Sequence, residues 1–382
     1  LIGAGKDETR ELVFPNNIVL TGNSTTKYPA LVAFGQNVRL TGSISAVNDF
    51  CFWEDDASMY AIAGKYHDAF SRVKSITFGP ITAGGRIIHD GWCAFVFDGK
   101  VTASALDFSH WRSGSNHNST YVFNAPCQVR AITNSSHNIT FAAGEANSGA
   151  DLVWNAPVRY GNLSLACPTF AVGVFSSGEG PANASSAVWQ IKGDGETVTT
   201  LVVTGTPSVA GCETSVALGG KLALMIDAAP DFVQTFRSRS HTLAGALSVN
   251  SGTLRTRDGA TFAEVPRLVI GKDGRIDLEA GTKIVTDSLC VNGREMPAGT
   301  YFPWTLPCLV GEGRISVKDA SGKVPLEGAY PGAGVVREAF AVVGSQTWKM
   351  DNDTLAFDNA LRCLDGVLSL DATSGGKSRL VF

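Results

Sequence analysis

Short β-prone runs separated by glycine-bearing turns fill most of this chain, and few folds accept that pattern. Ile18-Val19-Leu20, Val38-Arg39-Leu40, Ser75-Ile76-Thr77-Phe78, Asn138-Ile139-Thr140-Phe141, Thr197 to Val203 and Ala246-Leu247-Ser248-Val249 are rich in β-branched and aromatic side chains. Many alternate with period two, the mark of short strands. Between them stand Asp90-Gly91, Asp98-Gly99, Asp194-Gly195, Asp258-Gly259, Asp273-Gly274, Asn292-Gly293 and Asp365-Gly366. These are read as tight turns, where a positive φ is easy for Gly and tolerable for Asn or Asp. The 42 Gly against 15 Pro, with no Gly-X-Y period, exclude collagen. Four Met and only 17% charged residues argue against a long-helix or coiled-coil protein too.

One stretch departs from the pattern. Met59, Ile62, Tyr66, Phe70 and Val73 recur at spacings of three and four, with Asp55 and Asp56 placed to cap the start. The spacing predicts one short helix over residues 57–73, lying on the β body. A second helical or irregular turn is expected between Asp227 and Phe236.

The net charge of -4, with neither sign gathered into a block, gives no footprint for nucleic acid. No segment approaches the roughly 20 apolar residues of a membrane span. The start, Leu1-Ile2-Gly3-Ala4-Gly5, is not a signal peptide and has no initiator Met, as expected of a mature form after signal removal. Eight cysteines are dispersed without a Cys-x-x-Cys, which fits disulfides in an oxidising compartment better than zinc or redox sites. Cys290 and Cys308, bracketing a short Pro-containing loop, are the first candidate pair. Seven Asn-x-Ser/Thr sequons, from Asn23 to Asn352, permit glycosylation.

The segment from about 243 to 317 is the most regular. It holds Gly245-Ala-Leu-Ser-Val-Asn-Ser-Gly-Thr-Leu254, Leu268-Val-Ile-Gly-Lys-Asp-Gly-Arg-Ile-Asp-Leu278, Leu289-Cys-Val-Asn-Gly-Arg-Glu-Met-Pro-Ala-Gly-Thr-Tyr301 and Gly311-Glu-Gly-Arg-Ile-Ser-Val317. This resembles the autotransporter-associated β-strand repeat, over roughly a fifth of the chain. The resemblance implies a right-handed parallel β-helix of the kind carried by bacterial surface and secreted passenger proteins.

Extended to the whole chain, the expected fold is all-β: a parallel β-helix, or β-solenoid, with one short lateral helix. Each coil is too small to bury its own apolar face, so coils stack and every strand pairs with its equivalents above and below. Coils of roughly 20–30 residues would give about a dozen, some 60 Å long. Tandem antiparallel β-sandwiches are the alternative, with hairpins as their signature. The chain divides on this reading into 1–165, β-rich with the helix, 166–317, carrying the passenger-like repeats, and 318–382, a terminal β segment.

Chemistry is faint. Five of six histidines fall between His67 and His137, among Asp49, Glu54, Asp55, Asp56, Asp68, Asp90 and Asp107. A polysaccharide-active β-helix enzyme, a lyase or glycoside hydrolase, would therefore have its groove near residues 49–137, with Asp55, Asp56, His89 and His110 as catalytic candidates. No Gly-x-Ser-x-Gly, His-Glu-x-x-His or Walker motif occurs, and Asp351-Asn352-Asp353 begins a calcium-like loop but continues to Leu355. No cofactor and no metal are expected. A spread of seven Trp suggests a sugar-stacking face.

Near the two ends stand Arg10-Glu-Leu-Val-Phe14 and Ser378-Arg-Leu-Val-Phe382. Apolar, β-prone ends belong in a sheet, and a stacked solenoid exposes an unpaired edge at each pole. Leu12, Val13, Phe14, Leu380, Val381 and Phe382 are thus the assembly candidates. The expected function is an extracellular or cell-surface structural protein that associates head-to-tail with copies of itself, forming a filament or layer, and adheres to glycans.

Overall fold

A computed structural model describes residues 2–3, 11–23, 31–34, 37–54, 75–90, 94–108, 120–134, 138–141, 151–154, 162–175, 190–205, 209–237, 239–323, 333–336, 340–343, 345–350, 354–358, 361–364, 367–371 and 378–381. The described residues are all-β, without a helix, and their strands stack as a parallel β-solenoid of about 10 turns. One ladder runs Leu12–Phe14, Val38–Leu40, Ser75–Phe78, Ala94–Phe97, Thr120–Phe123, Asn138–Phe141, Asn162–Leu165, Gln190–Gly193, Ala217–Gly220, each pairing in parallel with the next. A second ladder joins Ile2–Gly3 to Ala131–Asn134 through four intermediate strands. The third begins at Ile18–Leu20 and continues into the long strands Leu247–Arg257, Glu264–Leu278 and Lys283–Val291. The repeat-bearing segment and the region before it therefore share one fold, and the ladder passes unbroken through residues 165–166.

Parallel pairing decides against the sandwiches. Among the described residues the antiparallel pairs are two: Lys283–Val291 with Arg294–Met296, and Gly299–Tyr301 with Arg314–Val317. The lateral helix at 57–73 lies outside the described residues. Between Asp227 and Phe236 the chain makes a turn and enters the strand Val233–Arg237.

In-register stacking fills the interior with columns of like side chains. Phe78, Phe97, Phe123 and Phe141 occupy equivalent positions on successive rungs. Their ring centroids are 5.2, 4.4 and 4.8 Å apart, and all four are buried. Rungs about 4.8 Å apart set rings at the spacing of offset stacking. Beside that column run Ile76, Phe95, Tyr121 and Ile139.

Glycine plays two parts at the corners. Asp258-Gly259 and Asn292-Gly293 are left-handed, with φ of 55° and 76°, and 51° and 78°, as the turn reading expects. Gly99 and Gly274 are not. A Cβ on Gly99 would stand 2.1 Å from the Pro80 nitrogen, and one on Gly274 1.9 Å from the Val249 oxygen. At these corners the coil below leaves no room for a side chain.

Residues 334–381 form their own parallel stack. Gly334–Val336, Thr354–Phe357 and Arg379–Val381 make one ladder, with Phe340–Val343 on Leu361–Leu364 and Gln346–Lys349 on Leu368–Asp371. Val342, Trp348, Met350, Leu355 and Phe357 are its core.

Candidate functional site

His89 belongs to the core, which removes it from the catalytic candidates. On the strand Arg86–Asp90, period two puts Ile87 and His89 on one face, in register with Phe50 and Phe52. Those positions point inward. The His89 ring is fully buried, 4.6 Å from Phe52 and 3.9 Å from Phe95 between centroids, and its Nδ1 is hydrogen-bonded to the Tyr121 hydroxyl. Asp55, Asp56 and His110 lie outside the described residues.

The structure instead brings together Asp49, Arg86 and Asp107, from three successive rungs. Arg86 donates from Nη2 to Asp49 Oδ2 at 2.8 Å and from Nη1 to Asp107 Oδ2 at 2.9 Å, and its backbone N–H donates to Asp49 Oδ1 at 2.7 Å. An open groove of about 500 Å³ lies at the neighbouring corner, lined by Ala83, Gly84, Thr102, Ala103, Ser104, Gln128, Val129 and Arg130. Burial pushes the Asp49 pKa up, but the hydrogen bonds and charge of Arg86 outweigh it and hold the carboxyl below its ordinary value. A single guanidinium shared between carboxylates of the rungs on either side makes this trio an inter-coil clamp. None of the three was a catalytic candidate in the sequence, although both aspartates lie in the acidic, histidine-bearing region that it pointed to.

The clamp recurs on the outer surface. Arg237 bonds Glu213 at 2.7 Å and Asp258 at 2.6 Å. Asp277 accepts from Arg255 at 2.7 Å and Arg257 at 2.9 Å. Opposite charges on successive rungs are thus this molecule's regular way of tying coils together.

A second histidine was not singled out by the sequence. His241 is buried, stacked on Phe262 at 4.4 Å, and its Nδ1 accepts from the Leu218 N–H at 3.2 Å. Burial lowers its pKa from 6.5 to about 4. Between those values the unfolded chain holds a proton that the folded chain excludes, so the contribution is intact above pH 6.5 and is lost on acidification. A loss of about 3 kcal/mol is expected by pH 4. Unfolding midpoints at pH 7 and pH 4.5 should differ clearly less in His241→Gln than in the natural chain.

Cys290 and Cys308 are not joined, so the expected Cys290–Cys308 disulfide is absent. The fold gives the reason. Cys290 pairs with Val269, whereas Cys308 precedes Leu309, which pairs with Ile276, beyond the Gly271–Gly274 bend of the same strand. Strand register, not the intervening loop, sets their positions, and a disulfide needs Cα atoms within about 7 Å. Nor do two of the tryptophans stand in an exposed row: Trp348 is core, and Trp304 stacks on Phe302 at 4.6 Å.

The ends of the stacks differ from their middles. Leu12, Phe14, Ile18 and Leu20 are only partly buried, yet they sit in register with Val38, Leu40, Ile44 and Ala46, which are 1%, 1%, 1% and 6% exposed. Among the described residues, the first coil thus carries core residues with a coil on one side only. At the far end of the same core, the antiparallel strands at 294–296 and 299–301 and the turn holding Phe302 and Leu306 follow the last rungs, with Met296 and Tyr301 packed on it. Arg379–Val381 pairs with Thr354–Phe357 on one edge, and among the described residues nothing lies on the other. Phe382 is outside them.

No protein-family model matches the chain, and no curated protein or solved structure matches it either.

Proposed function

We propose that this chain is a structural β-solenoid subunit of an extracellular or cell-surface assembly, associating head-to-tail with copies of itself. The observation that carries the reading is the first coil: four apolar residues remain only partly buried where their equivalents one rung on are buried. Burying them needs another layer of strands, and a second copy supplies one. A head-to-tail contact joins two different surfaces, so it builds an open filament instead of a closed dimer. The likeness of residues 243–317 to passenger repeats and the scattered sequons support a surface location, and adhesion to glycans is a further expectation of that setting.

Negative-stain imaging of the purified chain over a concentration series tests this. Rods or fibres that lengthen with concentration are expected; monodisperse monomers at the highest concentration would overturn it. Deleting residues 379–382 should abolish polymers, and unchanged polymers would acquit that strand. The groove beside Arg86 is the observation favouring a polysaccharide-active enzyme. A reducing-end or unsaturation signal over a polysaccharide panel, lost in Asp55→Ala or Asp56→Ala, would establish that reading instead.

A further inference from the structure

Two edge strands of this molecule carry complementary information. Glu11 precedes Leu12-Val13-Phe14, and Arg379 precedes Leu380-Val381-Phe382. Their exposure alternates in the same phase. Glu11 and Val13 are exposed with Leu12 and Phe14 partly buried, and Arg379 and Val381 are exposed with Leu380 partly buried. Leu12–Phe14 pairs with Val38–Leu40 on one edge, Arg379–Val381 pairs with Thr354–Phe357 on one edge, and among the described residues the opposite edges are open. An open edge offers unpaired N–H and C=O groups to another strand.

We infer that Arg379–Val381 of one copy adds in parallel to Leu12–Phe14 of the next, in the register Arg379 on Glu11, Leu380 on Leu12 and Val381 on Val13. This rests on the self-association proposed above and specifies its contact. In that register inward positions meet inward ones, and a cation meets an anion. A shift of one residue turns Leu380 to the outer face. A shift of two sets Arg379 on Val13 and loses the charge pair. Glu11 already bonds Arg39 at 3.1 Å on the rung behind it. Arg379 approaches from the opposite side, so Arg379–Glu11–Arg39 repeats the three-rung alternation seen in Asp49–Arg86–Asp107 and Glu213–Arg237–Asp258. The joint is therefore built like the molecule's own coil-to-coil contacts.

The test uses the full chain with Glu11→Arg, Arg379→Glu and the double exchange, and reads the concentration at half-assembly by sedimentation and light scattering in low-salt buffer. Each single reversal replaces an attraction by a repulsion at an exposed pair and should raise that concentration about five-fold, with the exchange returning it to within about two-fold of the natural chain. Unchanged thermal midpoints show that the variants fold. If the natural chain assembles but the exchange rescues nothing, or the single reversals have no effect, this register is wrong while self-association stands. If the natural chain does not assemble at all, self-association fails, and this contact with it.

Discussion

Phe97→Ala should lower stability by about 4 kcal/mol, the largest effect expected of any single truncation in the aromatic column. Its ring is fully buried and lies between Phe78 at 5.2 Å and Phe123 at 4.4 Å. Truncating a buried Phe typically costs about 3–5 kcal/mol in transfer and cavity terms, and a lost ring pair adds about 1. Relaxation is limited, because the rungs above and below are held by parallel ladders. Phe97→Leu should cost less than about 1.5 kcal/mol, since Leu40 and Leu165 occupy this column on other rungs. Urea unfolding of the two variants checks both numbers. A loss below about 1 kcal/mol for the alanine would mean that the column is not the core.

Gly274→Ala is expected to be at least as damaging, for a different reason. The added Cβ would sit 1.9 Å from the Val249 oxygen and 2.8 Å from its carbonyl carbon, both backbone atoms of the adjoining rung. Relief requires the rungs to part, breaking the pairing of Ser251 with Asp273 and Gly252 with Gly274. Expected destabilisation is about 4 kcal/mol or more, in the range reserved for severe core lesions. Gly259→Ala is the matched control. Its φ is 76° with nothing within 4 Å of the new Cβ, so it should cost only the left-handed backbone term, about 1–2 kcal/mol. Paired thermal denaturation decides, and the reverse order would show that the corners are not close-packed.

That contrast marks where sequence reading succeeds and where it stops. Runs such as Val38–Leu40, Ser75–Phe78 and Asn138–Phe141 are strands with the bounds that their composition suggests, because β-branched and aromatic alternation is a local property. A glycine's reason for being glycine is not local. Asp258-Gly259 and Asp273-Gly274 look alike in sequence, yet one supplies a positive φ and the other yields space to a neighbouring coil. His89 is legible in principle, since alternation from Ile87 aims it inward, whereas its neighbour Asp90 gives the same dipeptide the look of a catalytic pair. Arg86 was not legible. Its partners lie 37 residues before and 21 residues after it, and only the unequal lengths of the coils bring them level. The same irregularity defeated the cysteine pairing, where spacing in sequence says nothing of which rung each thiol joins.

Fibre diffraction from aligned assemblies of the full chain bears most directly on the picture of coils stacked within and between copies. Strands lying across the axis, continued from one copy into the next, should give a reflection near 4.8 Å on the meridian. The same spacing on the equator, or a solution that yields only monomers and no fibre to align, would contradict it.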